Sequence, residues 1–155
     1  MENIGKQMAR AIVMHVPGGP EVLRVEDVEV GEPGPGQARV RQTAAGVNFH
    51  DIYVRSGLYK TLHLPGIPGL EAVGVVEAIG PGVIEVKVGE RVGCLTPTYS
   101  GYAEMRLSTA NELIKIPDSI DDVTAAANLL RGLTAQMLVR YVHKVEPGQT
   151  VLVHA

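Results

Sequence analysis

Through roughly the first two thirds of the chain, apolar residues alternate with polar ones, and Gly and Pro cut the alternation into short segments. Ala9–Val16 predicts a strand, closed by the turn cluster Pro17-Gly18-Gly19-Pro20. Val22, Leu23, Val25, Val28 and Val30 interleave with Glu and Arg, as in strands buried on one face. Gly31–Gly36 carries Pro33 and Pro35 and cannot continue a ladder, so it predicts a loop before a strand over Gln37–Gly46. Leu62–Leu70, with Pro65 and Pro68, predicts an extended loop. Ala72–Ile79 is a Val-rich strand ended by Gly80-Pro81-Gly82. Val86–Val92 alternates up to a turn at Gly89, ahead of a strand through Cys94; Tyr102–Leu107 and Leu113–Ile116 add two more. Met1–Gln7 reads as a loose tail. Short strands at this spacing indicate a sandwich or barrel.

Two stretches break the alternation. Ala44–Tyr59, AAGVNFHDIYVRSGLY, starts as a strand and turns at Gly46. Asn48 then suits a helix N-cap, Phe49, Ile52 and Tyr53 share one helical face, and Gly57 suits a left-handed C-cap. After Pro117, Ser119 and Asp122 have the spacing of a capping box opening a helix through Ala125–Leu130. Gly132 predicts a break before a second helix over Thr134–His143. Pro147-Gly148 is a turn, and Thr150–His154 is an apolar run suited to a fully buried, parallel-type strand.

Composition narrows the classes. A formal charge of -3 over 155 residues leaves no basic footprint, so nucleic acid is not an expected partner. The lone Cys94 excludes an internal disulfide and suits a reducing, cytoplasmic compartment. Ala11–Val16 is too short for a secretory leader, and no run has the length of a membrane span.

The stretch Ala44–Tyr59 resembles the signature of zinc-free quinone oxidoreductases of the zeta-crystallin type, in the medium-chain dehydrogenase/reductase superfamily. Collinear similarity continues through PGLEAVGVVEAIGPGV (Pro68–Val83), VKVGERV (Val86–Val92), GYAEMRL (Gly101–Leu107), RGLTAQMLVR (Arg131–Arg140) and EPGQTVLVHA (Glu146–Ala155). The resemblance implies a mainly β fold: a GroES-like, partly open β-barrel with short helices over residues 1–118. Two connecting helices and the first strand of an incomplete Rossmann-type cofactor domain are implied over 119–155. In that family the glycine-rich phosphate loop follows this strand. No G-x-G-x-x-G occurs here, so the chain is expected to be a catalytic-domain portion of a longer reductase, incomplete by itself and binding NADPH weakly at most.

Many relatives of this fold are zinc enzymes, in which a Cys stands where Asn48 is and a His where Leu70 is. With both replaced and only Glu71 retained, no metal is expected; His50, His63 and Glu71 have no supporting spacing. By the resemblance, Asn48 orients the nicotinamide or the substrate carbonyl, Tyr53 and Tyr59 stack on or donate to the substrate, and Thr134 contacts the cofactor. The plain readings are that Asn48 and Thr134 cap helices and that the tyrosines fill a core rim. Asp51 is expected to bond first-turn amides or pair with Arg55. The implied activity is hydride transfer from NADPH to a quinone or enone, in an enzyme that is a homodimer when intact. Enoyl-thioester reduction on the same frame stays open. So does a non-enzymatic binding or assembly role, in which the strand Val151–Val153 pairs with a partner.

Overall fold

The computed structural model describes residues 6–95 and 98–154. Thr150–Ala155 ends on the one undescribed C-terminal residue, and most of the predicted tail, Met1–Gly5, also lies outside the described residues.

Among the described residues the alternating segments form seven antiparallel strands in two sheets. In the smaller sheet β1 (Gln7–Val13) pairs with β2 (Arg24–Val30), Ala9 opposite Val28. The larger sheet runs β6–β3–β4–β5–β7, built from β3 (Gln37–Ala45), β4 (Glu71–Ile79), β5 (Arg91–Leu95), β6 (Met105–Thr109) and β7 (Leu113–Lys115). Segment 102–104 joins the two sheets: Ile12 N donates to Tyr102 O, Glu104 N to Arg10 O and Gln42 N to Glu104 O, each at 2.8 Å. The result is a barrel left partly open. Its core holds Ala38, Val40, Val76, Val86, Val92, Cys94 and Ala110, all almost without exposure. Small and β-branched side chains dominate because closely curved sheets leave little room between them.

Strand positions follow the hydrophobic alternation to within a few residues. The barrel interior also takes in Arg106, 4% exposed, whose Nε and Nη1 find no partner among the described residues. Burial pulls this guanidinium's pKa down and pushes the Cys94 thiol up.

Two helices flank the sheets. The first, α1 (Phe49–Ser56), fills the loop between β3 and β4 and ends at Gly57, φ 82°, the left-handed cap its sequence predicts. The second, α2 (Asp122–Met137), differs from expectation at both ends. Its N-cap is Asp121, which accepts from Thr124 N at 2.8 Å, and not Ser119. Asp122 is turned to the sheets instead, accepting from Thr43 Oγ1 at 2.6 Å and from Arg91 Nε at 2.9 Å. The helix runs straight through Gly132, whose missing side chain faces open space, and finishes in a π-helical turn at Leu138–Val142. A lone Gly weakens a helix by only about 1 kcal/mol, too little to divide this one. Thr134 is therefore mid-helix and caps nothing. Ala125 and Ala126 pack with Val73, Ala44 and Ile116 over the large sheet. From Arg131 to His154 every described residue is exposed, and Thr150–His154 belongs to no strand, so the predicted last strand is not formed among the described residues. No helix among them is long and apolar enough to cross a membrane.

Candidate active site

The loop that leaves β3 is drawn onto the sheet by a buried carboxylate. Glu71, the first residue of β4, is 1% exposed. Its Oε1 accepts from Asn48 Nδ2 at 2.8 Å and its Oε2 from Leu130 N, in α2, at 2.6 Å. A carboxylate out of water needs such donors, because each unsatisfied lone pair carries the desolvation cost of a buried charge. Gly46 makes the approach possible: a Cβ there would sit 2.2 Å from Glu71 Oε1 and 2.5 Å from Ala126 O. One residue thus ties together the loop, the sheet and α2. The Asn48 amide spends one hydrogen on Glu71 and takes part in the capping box with Asp51 at the start of α1, which leaves its second hydrogen for another partner.

Asp51 organises the helix that follows. Its Oδ2 accepts from Asn48 N at 2.9 Å, closing the first turn, and from Tyr102 Oη at 2.7 Å. Burial first, then the bond to Asp51, raise the Tyr102 pKa far beyond its usual value, so the phenol stays protonated and a donor. The expected first-turn role of Asp51 is seen. Pairing with Arg55 is not, since Arg55 Nε donates to Gly18 O at 3.3 Å.

Around α1 the aromatic residues gather on one side. Tyr53 and Tyr59 meet edge to face with centroids 5.3 Å apart, Tyr59 lies 5.3 Å from the His50 ring, and His50 stacks at 6.0 Å on Tyr99. Tyr53 and Tyr59 are 38% and 43% exposed, so their faces are open to a ligand rather than consumed by the core. Val47, Phe49, Ile52 and Leu58 extend the exposed apolar surface. Asn48, at the N-cap, and Tyr53 and Tyr59, at the far end, therefore share one helix-and-loop unit, with His50 between them. Tyr59 additionally lines a cavity of about 290 Å³ with Met14, Val54, Leu62 and His63, a hollow that Asn48 and Tyr53 do not reach. Thr134 lies exposed on the distal half of α2.

Three participants were not singled out as site residues from the chain. Tyr99 is 4% exposed at φ 62°, followed by Ser100 at φ 70°. Such backbone is uncommon outside glycine and is held in place only when surroundings over-determine it. The Tyr99 hydroxyl lies 3.1 Å from His50 Nε2 and 2.5 Å from Thr61 Oγ1. Tyr102 is the other unforeseen residue, and His50 was weighed only as a metal ligand. The distant pairing of positions 50, 61 and 99 leaves no local signal; the clue available was a tyrosine before Ser-Gly in a Pro- and Gly-bounded loop. No group of three His, Cys, Asp or Glu is placed to hold a metal among the described residues.

Residues 34–118 match the alcohol dehydrogenase GroES-like domain family. Over 153 residues the chain is 48% identical to a 2-haloacrylate reductase of a Burkholderia species, covering 96% of this chain and 46% of that protein. It is 45% identical over 148 residues to a quinone oxidoreductase of Pseudomonas aeruginosa, again 96% of this chain and 46% of the relative. The crystal structure of Escherichia coli quinone oxidoreductase complexed with NADPH superposes with a TM-score of 0.83 at 35% identity, over 91% of this chain and 43% of that one. The chain thus spans just under half the length of the curated relatives it matches.

Proposed function

Because the chain belongs to the alcohol dehydrogenase GroES-like domain family, we propose that it forms the substrate side of an NADPH-dependent reductase acting on a quinone or a related electron-poor alkene. The observation that supports this reading is the Asn48 amide, fixed by buried Glu71 at the start of the helix that carries Tyr53 and leads to Tyr59, two rings that meet edge to face and stay partly exposed. Quinones and 2-haloacrylates, the acceptors named in the relatives, share a carbon–carbon double bond conjugated to a carbonyl. Hydride addition to such a system pushes negative charge onto the carbonyl oxygen, where a fixed N–H donor is worth most. Asn48 has that donor in its second amide hydrogen, and Tyr53 and Tyr59 offer flat faces for a planar acceptor.

A nicotinamide cofactor supplies the hydride when bound. The remaining Asn48 hydrogen suits the carboxamide oxygen of that cofactor as the alternative to the acceptor carbonyl. Thr134 adds an exposed hydroxyl on α2, and Glu71 joins α2 to Asn48, so the two are mechanically linked through one carboxylate. Zinc independence belongs to the same reading. Asn48 and Leu70 stand where metal ligands would be needed, and both oxygens of Glu71 are engaged by N–H groups. A cytoplasmic, homodimeric enzyme is the corresponding assembly.

The test is a ¹⁵N-labelled chain titrated with menadione and, separately, with 2-chloroacrylate. Amide and side-chain shifts should centre on Asn48, Tyr53 and Tyr59, and Asn48→Ala should weaken the acceptor's binding by roughly tenfold, the equivalent of about 1.4 kcal/mol. Shifts confined to another face, or none at millimolar acceptor, refute the assignment.

A further inference from the structure

Reduction of a conjugated alkene needs a proton as well as a hydride, and neither Asn48 nor the carboxylates beneath it is placed to bring one in from water. Asp51 and Glu71 are 5% and 1% exposed and are already held by N–H and O–H donors. The cluster beside them is differently built. Thr61 is exposed, Tyr99 is buried, and His50 is half-buried against Tyr59. Their polar atoms form a continuous chain: Thr61 Oγ1 lies 2.5 Å from Tyr99 Oη, which lies 3.1 Å from His50 Nε2. Among the described residues Nδ1 of His50 has no hydrogen-bond partner.

We propose that Thr61, Tyr99 and His50 are the proton route of this site, a step that rests on the substrate reading above. The route requires one ordering of donors. Thr61 Oγ1–H donates to Tyr99 Oη, Tyr99 Oη–H donates to His50 Nε2, and His50 therefore carries its proton on Nδ1. The balance is simple. Hydride from NADPH forms the new C–H bond at the β-carbon, and the alkene's electron pair moves onto the carbonyl as an enolate. His50 gives its Nδ1 proton to the enolate as Nε2 takes the Tyr99 proton. Tyr99 is refilled from Thr61, and Thr61 from water. NADPH is oxidised, the alkene is reduced, and one proton is drawn from solvent. For a quinone the hydride is taken up at one carbonyl oxygen, the ring's electron pairs shift to leave a phenolate at the other, and the same proton goes to that phenolate oxygen.

The geometry also explains why the backbone at Tyr99 is held at φ 62°. That conformation is disfavoured for a non-glycine residue, and it is what stations the hydroxyl under His50 between two helix- and loop-borne partners.

The test is long-range ¹H–¹⁵N NMR of the imidazole in the ¹⁵N-labelled chain above pH 8, where the neutral ring is read directly. His50 is expected in the Nδ1–H form, opposite to the Nε2–H form that free imidazole side chains prefer. Tyr99→Phe should move it to the Nε2–H form. An Nε2–H tautomer in the unaltered chain, or an unmoved tautomer in Tyr99→Phe, overturns the route. Should that variant not fold, the tautomer of the unaltered chain decides alone. Adding menadione or 2-chloroacrylate separates the two readings. Shifts at Tyr53, Tyr59 and His50 Nδ1 support both. Shifts at the tyrosines that leave His50 Nδ1 unmoved overturn the route and keep the substrate site. An absence of shifts at all of them overturns the substrate site itself, and the route with it.

Discussion

At the scale of single residues, Glu71 carries more than any other. Its two oxygens hold a side chain from the α1 loop and a backbone amide from α2, both in a place water does not reach. Glu71→Ala leaves both donors unpaired and opens a void. Each buried unsatisfied group costs about 1–3 kcal/mol, so a loss of about 3–5 kcal/mol is expected in urea denaturation. Glu71→Gln keeps the volume and one acceptor oxygen but brings an NH2 against a donor, and is expected to lose about 2 kcal/mol. If the two variants were equally stable, the carboxylate would be a spacer and not the anchor. Part of this was legible beforehand: Asn48 as a cap and Gly57 as a left-handed end follow from local chemistry, and both are found. That Asn48 would hand its amide to a residue in position 71 is not local. Nor is the Tyr102–Asp51 bond, which spans half the barrel's sequence.

Among the elements, strands were the most legible and α2 the least. A strand announces itself by period two, and β1 through β7 fall within a few residues of where alternation and Gly/Pro punctuation put them, although Pro20–Val22 forms a 3-10 turn ahead of β2 and β6 starts at Met105 instead of Tyr102. The start of α2 was misread because two acids compete for one cap. Asp121 takes it, which frees Asp122 to bridge Thr43 of β3 and Arg91 of β5. Bonds from Thr43 and then Arg91 hold the Asp122 carboxyl below its ordinary range. The unfolded chain therefore binds this proton more tightly than the folded one. The stabilisation is complete above the ordinary Asp pKa, near 3.9, and drains away as pH falls through the depressed folded value. Asp122→Asn should lower the thermal midpoint at pH 7 and flatten its fall below pH 4; an unchanged acid limb would mean the bridge is idle. Further along, Gly132 interrupts nothing, and a Cβ there would meet open space. Gly132→Ala should add up to about 1 kcal/mol of helix stability, seen as stronger 222 nm dichroism and slower amide exchange in 129–137. A loss of helicity would show instead that the position works as a hinge.

For the whole molecule, the distribution of apolar surface sets the behaviour. The barrel buries its Val and Ala, while the far end of α2 and the chain after it expose Leu133, Met137, Leu138, Val139, Tyr141, Val142, Val151, Leu152 and Val153. Several of these border one groove with Ala135, Val145 and Gln149. Soluble monomers rarely leave so continuous an apolar tract bare. Its hydrogen bonding is also local: among the described residues beyond the π-helical turn the backbone is held by short-range bonds, Val145 N to Val139 O, Gln149 N to Glu146 O and Glu146 N to Gln149 Oε1. Segments with few buried contacts open at the least free energy. Limited proteolysis should therefore cut first between 138 and 154, leaving a resistant piece that contains the barrel and the first turns of α2, where Ala125 and Ala126 are packed. The same tract should bind an apolar dye such as anilinonaphthalene sulfonate, and paired changes such as Leu138→Lys with Leu152→Lys should abolish that signal without lowering the barrel's unfolding midpoint. First cuts inside β3 or β4 would mean that the barrel is not the stable body and that the site at Asn48 and Glu71 has no rigid support.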